Sequence, residues 1–159
     1  MKGRAIVAGA GIGGLAAGLA LLRKGWQVRI YEQSDDIRVL GAAIYIWENG
    51  LRVLETLGCY DEVIRDGHRG FAFEIRDCDG AIIDPGVLPE GIRVYTVPRK
   101  QLLDGLRNAA VRAGVEIVVN STISGARPDG TGFRVDALSV STSSCDVLAR
   151  KPAARHCAC

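Results

Sequence analysis

Charge of one sign is what this chain lacks first. Its 159 residues carry 20 Lys and Arg against 18 Asp and Glu, a net +2 with both signs spread along the chain, so no nucleic-acid footprint is visible. Ordered cysteine pairs are missing too. Cys59, Cys78, Cys145, Cys157 and Cys159 are odd in number and show no repeated CxxC spacing, which fits a reduced, cytoplasmic protein better than a disulfide framework. The closing His156-Cys157-Ala158-Cys159 has no second ligand pair, so no metal is expected. Apart from a segment at the start, no apolar stretch approaches the length of a membrane span, and stable membrane insertion is not expected. That first segment has Lys2 and Arg4 ahead of apolar residues, as a signal peptide does, but four glycines interrupt it and no small-residue cleavage site with a polar flank stands near Leu22. The 48% hydrophobic and 24% charged composition fits a soluble globular class, in a chain too short for two full domains.

What is present is concentrated at that start. An apolar strand from Arg4 runs into Gly9-Ala10-Gly11-Ile12-Gly13-Gly14 and then into an Ala/Leu-rich helix, and a second alternating strand, Trp26 to Tyr31, ends at Glu32. The spacing is that of a dinucleotide fingerprint in its strand-turn-helix-strand setting. Gly9 permits the tight turn. Gly11 has no Cβ, so a pyrophosphate can approach backbone N–H groups at a helix N-terminus carrying partial positive charge. Gly14 lets the helix pack closely on the strand, and Glu32 falls where an acid accepts from ribose hydroxyls, which argues against a 2′-phosphate.

Beyond Glu32, periodicity predicts a helix from about Trp47 to Leu57 stopped by Gly58, and a short helix near Tyr60 to Arg65. Strand patterns follow at Phe71–Arg76, Ala81–Asp84 and Ile92–Val97, with a hairpin turn at Asp79-Gly80. A long helix is expected from about Arg99 to Ala113, with Leu102, Leu103, Leu106, Ala110 and Val111 inward and Gly114 as its stop, feeding a parallel strand at Val115–Val119. A nicotinamide dehydrogenase would continue from the ribose acid into another strand-helix crossover. This chain leaves instead for a helix and an antiparallel meander, the path of an α/β, Rossmann-like FAD-binding fold of the glutathione-reductase type.

Residues 1–138 are therefore expected to form a partial FAD-binding domain, and 139–159 a low-complexity tail. The tail holds three of the five cysteines and a single acid, Asp146. Two readings of it stay open: a flexible tail, or the product of a shifted or prematurely ended reading frame.

Four stretches, Ala8–Ala17, Tyr31-Glu32, Gly41–Gly58 and Val97–Leu106, together resemble the N-terminal part of the class A flavin-dependent aromatic monooxygenases, the group of p-hydroxybenzoate hydroxylase. The likeness runs from about Arg4 to Asp136. It implies FAD as cofactor, NADH or NADPH as reductant, and a small phenolic or other aromatic substrate with oxygen as partners. It also implies that Glu32, with Gln33 beside it, holds the adenosine ribose, that Arg99 reaches the ribityl or pyrophosphate side, and that Arg38 and the Gly41-Ala42-Ala43 turn line the path to the ring. The family's later Gly-Ala-Asp-Gly and Gly-Asp motifs are not in this sequence, so the chain is expected to be an N-terminal portion that binds the ADP part of FAD without turnover. Asp79-Gly80 and Asp129-Gly130 are Asp-Gly pairs of the kind hairpin turns use. No catalytic residue is expected among 1–159, since the flavin carries the difficult step, and His68 reads as a surface loop residue. The competing readings are another FAD-linked oxidoreductase, of the prenyl reductase or amine oxidase type, and a non-catalytic ADP-binding module. The Arg-x-Gly-Gly-Arg pattern of amine oxidases is not supplied by the residues around Arg38.

Overall fold

A computed structural model of the chain describes residues 2–35, 43–72, 74–130, 132–137, 143–145 and 147–149. It divides into two compact units, Met1–Arg38 with Leu106–Cys159, and Val39–Gly105.

The first unit begins with β1 (Arg4–Ala8), α1 (Ile12–Arg23) and β2 (Gln27–Tyr31), and β1 and β2 pair in parallel from Arg4↔Gln27 to Ala8↔Tyr31. Alternation then decides the layers. Val7 on β1 and Val28 and Ile30 on β2 meet α1, which approaches so closely that a Cβ on Gly18 would lie 2.9 Å from Ile30 Cδ1. Leu15 and Leu19 on the same side of α1 are fully buried, each worth about 1.5–3 kcal/mol of burial. Ile6 and Tyr31 point the other way and pack with Val118, Ile123, Ala126 and Val135.

The second unit contributes β3 (Ala43–Trp47), α2 (Glu48–Leu57), α3 (Tyr60–Ile64), β4 (His68–Gly70), β5 (Ile75–Arg76), β6 (Ile82–Asp84) and β7 (Val94–Pro98). The antiparallel insertion is built in two pieces. One is a sheet in the order β3-β7-β4, with Tyr45, Thr96 and His68 in register across it, and the other is the β5-β6 hairpin around Gly80. The strand expected from Phe71 is shorter than its pattern, with β5 beginning only at Ile75. Gly58 ends α2 in the left-handed conformation, φ 76°, which a glycine adopts without the Cβ clash.

The boundary between the units falls within α4 (Arg99–Arg112). Leu102, Leu103, Leu106 and Ala110 are buried as expected, but Val111 is 58% exposed and Ala109 takes the inner position instead. At 100° per residue Ala109 falls on the arc of Leu102 and Leu106, and Val111 falls opposite. The chain then returns to the parallel sheet with β8 (Glu116–Val118) beside β2. β9 (Ile123–Asp129) and β10 (Gly132–Ala137) form an antiparallel pair, joined by β11 (Ser143–Cys145), and β12 (Val147–Ala149) lies parallel to β1. Among the described residues the parallel sheet thus has the order β12-β1-β2-β8. β11 and β12 fall inside the stretch that composition sets apart as a tail, where the short Val147-Leu148-Ala149 run is hidden among Ser, Cys and Arg. The rest of 139–159 lies outside the described residues.

One charged network ties the second unit together. Glu48 opens α2 with little exposure, and its carboxylate accepts from Arg93 Nε (2.8 Å), Arg93 Nη2 (2.9 Å), the Arg93 backbone N–H (3.2 Å) and Arg52 Nε (2.9 Å). Arg93 also donates to Glu55 (2.8 Å) and lies 5.3 Å from the centre of the Tyr60 ring. The hydrogen bonds from Arg93 and then Arg52 hold the Glu48 carboxyl at about 2, against an ordinary value of 4.5. A carboxyl depressed in the folded state stabilises the fold above its ordinary value, and that contribution is lost as pH falls through the folded value. The stability gap between wild type and Glu48→Gln, measured by urea unfolding, should therefore be flat above about pH 5 and close as pH falls toward about 2. A gap unchanged across that window would show that the carboxylate is not held by this network.

Candidate functional site

The glycine turn between β1 and α1 is shaped by sterics that can be assigned position by position. Gly9 sits at φ +100°, where side-chain-bearing residues are strained. Gly14 is required by contact. A Cβ there would stand 1.9 Å from the Gly9 carbonyl oxygen and 3.3 Å from Val7 Cγ1, and backbone cannot move aside as a flexible side chain can. Gly11 and Gly13 differ, because a Cβ on either meets nothing within 4 Å. Space is therefore open in front of Gly11, the N-cap of α1, which has no side chain to satisfy the first N–H groups, and no acid stands in the first turn. Those donors and the helix dipole favour an anion at that point.

Glu32 stands at the end of β2 and is fixed on every side. Its backbone N–H donates to the Val118 carbonyl (2.8 Å), and its carbonyl accepts from the Ser121 N–H (2.8 Å). Its carboxylate accepts from the Ala10 N–H (2.8 Å) and the Ser34 N–H (3.1 Å). The Gly9 N–H donates to the Tyr31 carbonyl at 2.7 Å. Six of the eight expected site residues, Gly9, Gly11, Gly13, Gly14, Glu32 and Gln33, thus lie on the turn and the strand end next to it, Gln33 being exposed. Arg99 belongs to the other unit and is exposed at the first position of α4. Arg38, Gly41 and Ala42 lie outside the described residues, while Ala43 opens β3.

Sequence reasoning missed the corner after β8. Asn120, at φ 52°, donates its N–H to the Ser34 carbonyl (3.0 Å), and the buried Ser121 bonds to Glu32. The available signal was an Asn just past the predicted strand, a residue that tolerates the left-handed conformation found there. A cavity of about 270 Å³ does exist in this unit, lined by Arg4, Gln27 and Glu116 among others, but at the opposite ends of the strands from the glycine turn. Arg29 in its wall is already bonded to Glu116 (2.7 Å), so it is not where a nucleotide is expected. Among the described residues there is no group of three or more His, Cys, Asp and Glu able to hold a metal, and no helix long and apolar enough to cross a membrane.

The FAD binding domain family matches residues 2–149 by its sequence profile. The chain belongs to that family. A 2-heptyl-3-hydroxy-4(1H)-quinolone synthase of Mycobacteroides abscessus is 42% identical over 133 residues, which are 82% of this chain and 35% of that protein. An FAD-dependent urate hydroxylase of Klebsiella pneumoniae is 47% identical over 58 residues, 36% of this chain and 15% of that one. Among solved structures, the tetrameric form of 2-methyl-3-hydroxypyridine-5-carboxylic acid oxygenase superposes with a TM-score of 0.80 at 36% identity, over 91% of this chain and 38% of that chain. The FAD binding domain described here thus spans about a third of the length of the quinolone synthase. Family and fold are those of the N-terminal, FAD-binding part of the class A flavin-dependent aromatic hydroxylases, as the four motif stretches imply. The family match runs to residue 149, past the boundary expected at 138.

The two kinds of glycine make separable predictions. Gly11→Val should fold with a melting temperature close to wild type, since its side chain enters open space, and should lose ADP and FAD binding by calorimetry. Gly14→Ala should lose the fold of the turn itself, seen as a lowered melting temperature without ligand, because the added Cβ strikes the Gly9 carbonyl. Unchanged ADP affinity in Gly11→Val would remove the turn from consideration as the nucleotide site.

Proposed function

We propose that these residues hold the ADP half of FAD in a flavin-dependent monooxygenase that hydroxylates a small aromatic compound. The observation carrying the reading is the uncapped α1 N-terminus with open space at Gly11, next to a carboxylate anchored at the end of β2. The first-turn N–H groups of α1 bind the pyrophosphate, and Gly11 lets it reach the backbone. Glu32, with two of its roughly four lone-pair positions in use, accepts from the ribose hydroxyls with the others. FAD, once bound, supplies the redox chemistry, with NADH or NADPH as reductant and oxygen as co-substrate. Relatives named for a quinolone, urate and a hydroxypyridine carboxylate support a ring substrate, heteroaromatic or phenolic.

Gln33, Arg38 and Arg99 complete the proposed cofactor-binding set. Arg99 is an exposed cation at a helix N-terminus, where it opposes the macrodipole, and an anionic ligand would offset that cost. A cytoplasmic location goes with the reduced cysteines. The reading treats residues 1–138 as the cofactor-holding portion.

Calorimetric titration tests the site. ADP and FAD should bind, and 2′-phosphorylated ADP should bind more weakly than ADP by about tenfold or more, since it sets a dianion against Glu32 and forfeits a ribose hydroxyl. Equal affinity for the two would remove Glu32 as the ribose ligand. The activity is tested with FAD, reductant and a panel of phenols and hydroxylated heteroaromatics in the longest chain that contains these residues. Incorporation of isotopically labelled oxygen from dioxygen into a ring product supports the reading, and reductant oxidation that yields only peroxide with every ring tested counts against it.

A further inference from the structure

We infer that Glu32 is a positioning residue for the glycine turn as well as a ribose acceptor, so that the ligand-free chain already holds the turn in the shape a pyrophosphate needs. The inference rests on the nucleotide-site reading above and adds a second role to one of its residues.

Ala10 lies between Gly9 and Gly11 and is fully buried, with no exposed surface. Its N–H points to no strand partner. Glu32 Oε2 accepts it at 2.8 Å, across 22 residues of sequence. Without that carboxylate a buried donor loses its acceptor, at a cost that can be relieved only by moving the turn. The other carboxylate oxygen is held by the Ser34 N–H at 3.1 Å, and the Glu32 backbone is bracketed by Val118 and Ser121 at 2.8 Å each. The side chain is therefore aimed by the strand end and the corner after β8, and it passes that constraint on to the residue between the two critical glycines.

Electrostatics makes the test sharp because it predicts the opposite sign. Removing a negative charge beside a pyrophosphate should, by itself, strengthen anion binding. A carboxylate that served only the ribose would thus leave the affinity of a nucleotide lacking ribose hydroxyls unchanged or improved. A carboxylate that also holds the turn would, on removal, weaken it.

The experiment titrates ADP and 2′,3′-dideoxy-ADP into wild type, Glu32→Ala and Glu32→Gln by calorimetry, and measures hydrogen exchange of the Ala10 amide without ligand. Glu32→Ala should bind dideoxy-ADP about tenfold more weakly than wild type, the loss of one charge-assisted hydrogen bond, and its Ala10 amide should exchange faster. Glu32→Gln keeps an oxygen for Ala10, so it should bind dideoxy-ADP within about twofold of wild type while losing affinity for ADP. If Glu32→Ala does not fold, Glu32→Asp takes its place, since it retains the charge but falls short of Ala10, and the same losses are expected. Dideoxy-ADP affinity and Ala10 exchange that match wild type in the shortened variant overturn the positioning role and leave the ribose role standing. Wild type that binds neither nucleotide overturns the nucleotide site itself, and the positioning role with it.

Discussion

The distance between the Gly9 carbonyl and α1 is the constraint on which the first unit depends. With only 1.9 Å available for a Cβ on Gly14, helix and strand end approach as closely as backbone allows. The approach is what turns the first N–H groups of α1 toward open space instead of toward protein. Gly18, about one helical turn further on, repeats the close contact against Val28 and Ile30. The outcome is a layer of helix on sheet in which the apolar residues of β1 and β2 serve both faces: Val7, Val28 and Ile30 toward α1, Ile6 and Tyr31 toward β9 and β10. Relaxing that approach would cost packing on one face and the anion-binding geometry on the other.

The second unit is organised by a different force. Glu48, Arg52, Arg93 and Glu55 form a connected set in which the least exposed member, Glu48, has four donors. A low-exposure carboxylate without such partners would be neutralised or expelled. Here it joins the start of α2 to the residue before β7, in a unit whose core includes the buried Leu51, Leu54 and Val97. Placing an acid in the first turn of α2 also suits the helix dipole. Charge and burial thus cooperate at one point where either alone would be unfavourable.

The parts of this molecule that were legible in the sequence are those whose physics is local. Gly9 and Gly14 declare themselves by spacing because each answers a steric demand within a few residues, and Gly11 and Glu32 by their places in the same pattern. Gly58 and Gly114 mark helix ends for the same reason, and both adopt positive φ. What was not legible depends on contacts across long separations. The Glu48–Arg93 pair spans 45 residues and the Ala10–Glu32 bond 22, and neither has a sequence signature. Val111 reads as inward because it is apolar and adjacent to Ala110, whereas its angle on the helix turns it to solvent. The β5-β6 hairpin is shorter than its residues suggest, and Ile75, Ile82 and Ile83 on it are exposed, so no buried face extends it. Ser121 entered the site through its backbone, which side-chain identity does not report.

The pairing of β2 with β8 carries a consequence for how the chain comes into being. Arg29 finds its partner Glu116 only once the chain has grown 87 residues further. During synthesis the edge of β2 therefore emerges with Val28, Ile30 and Tyr31 in place and nothing to pair with, the state in which a strand recruits foreign strands. The second unit is encoded in that interval. Its own core lets it collapse without waiting for β8, whereas the first unit must close a long loop before its sheet is complete. A ribosome that stalls before Glu116 would release a polypeptide with every fingerprint glycine present and no finished edge to protect them, a natural client for chaperones.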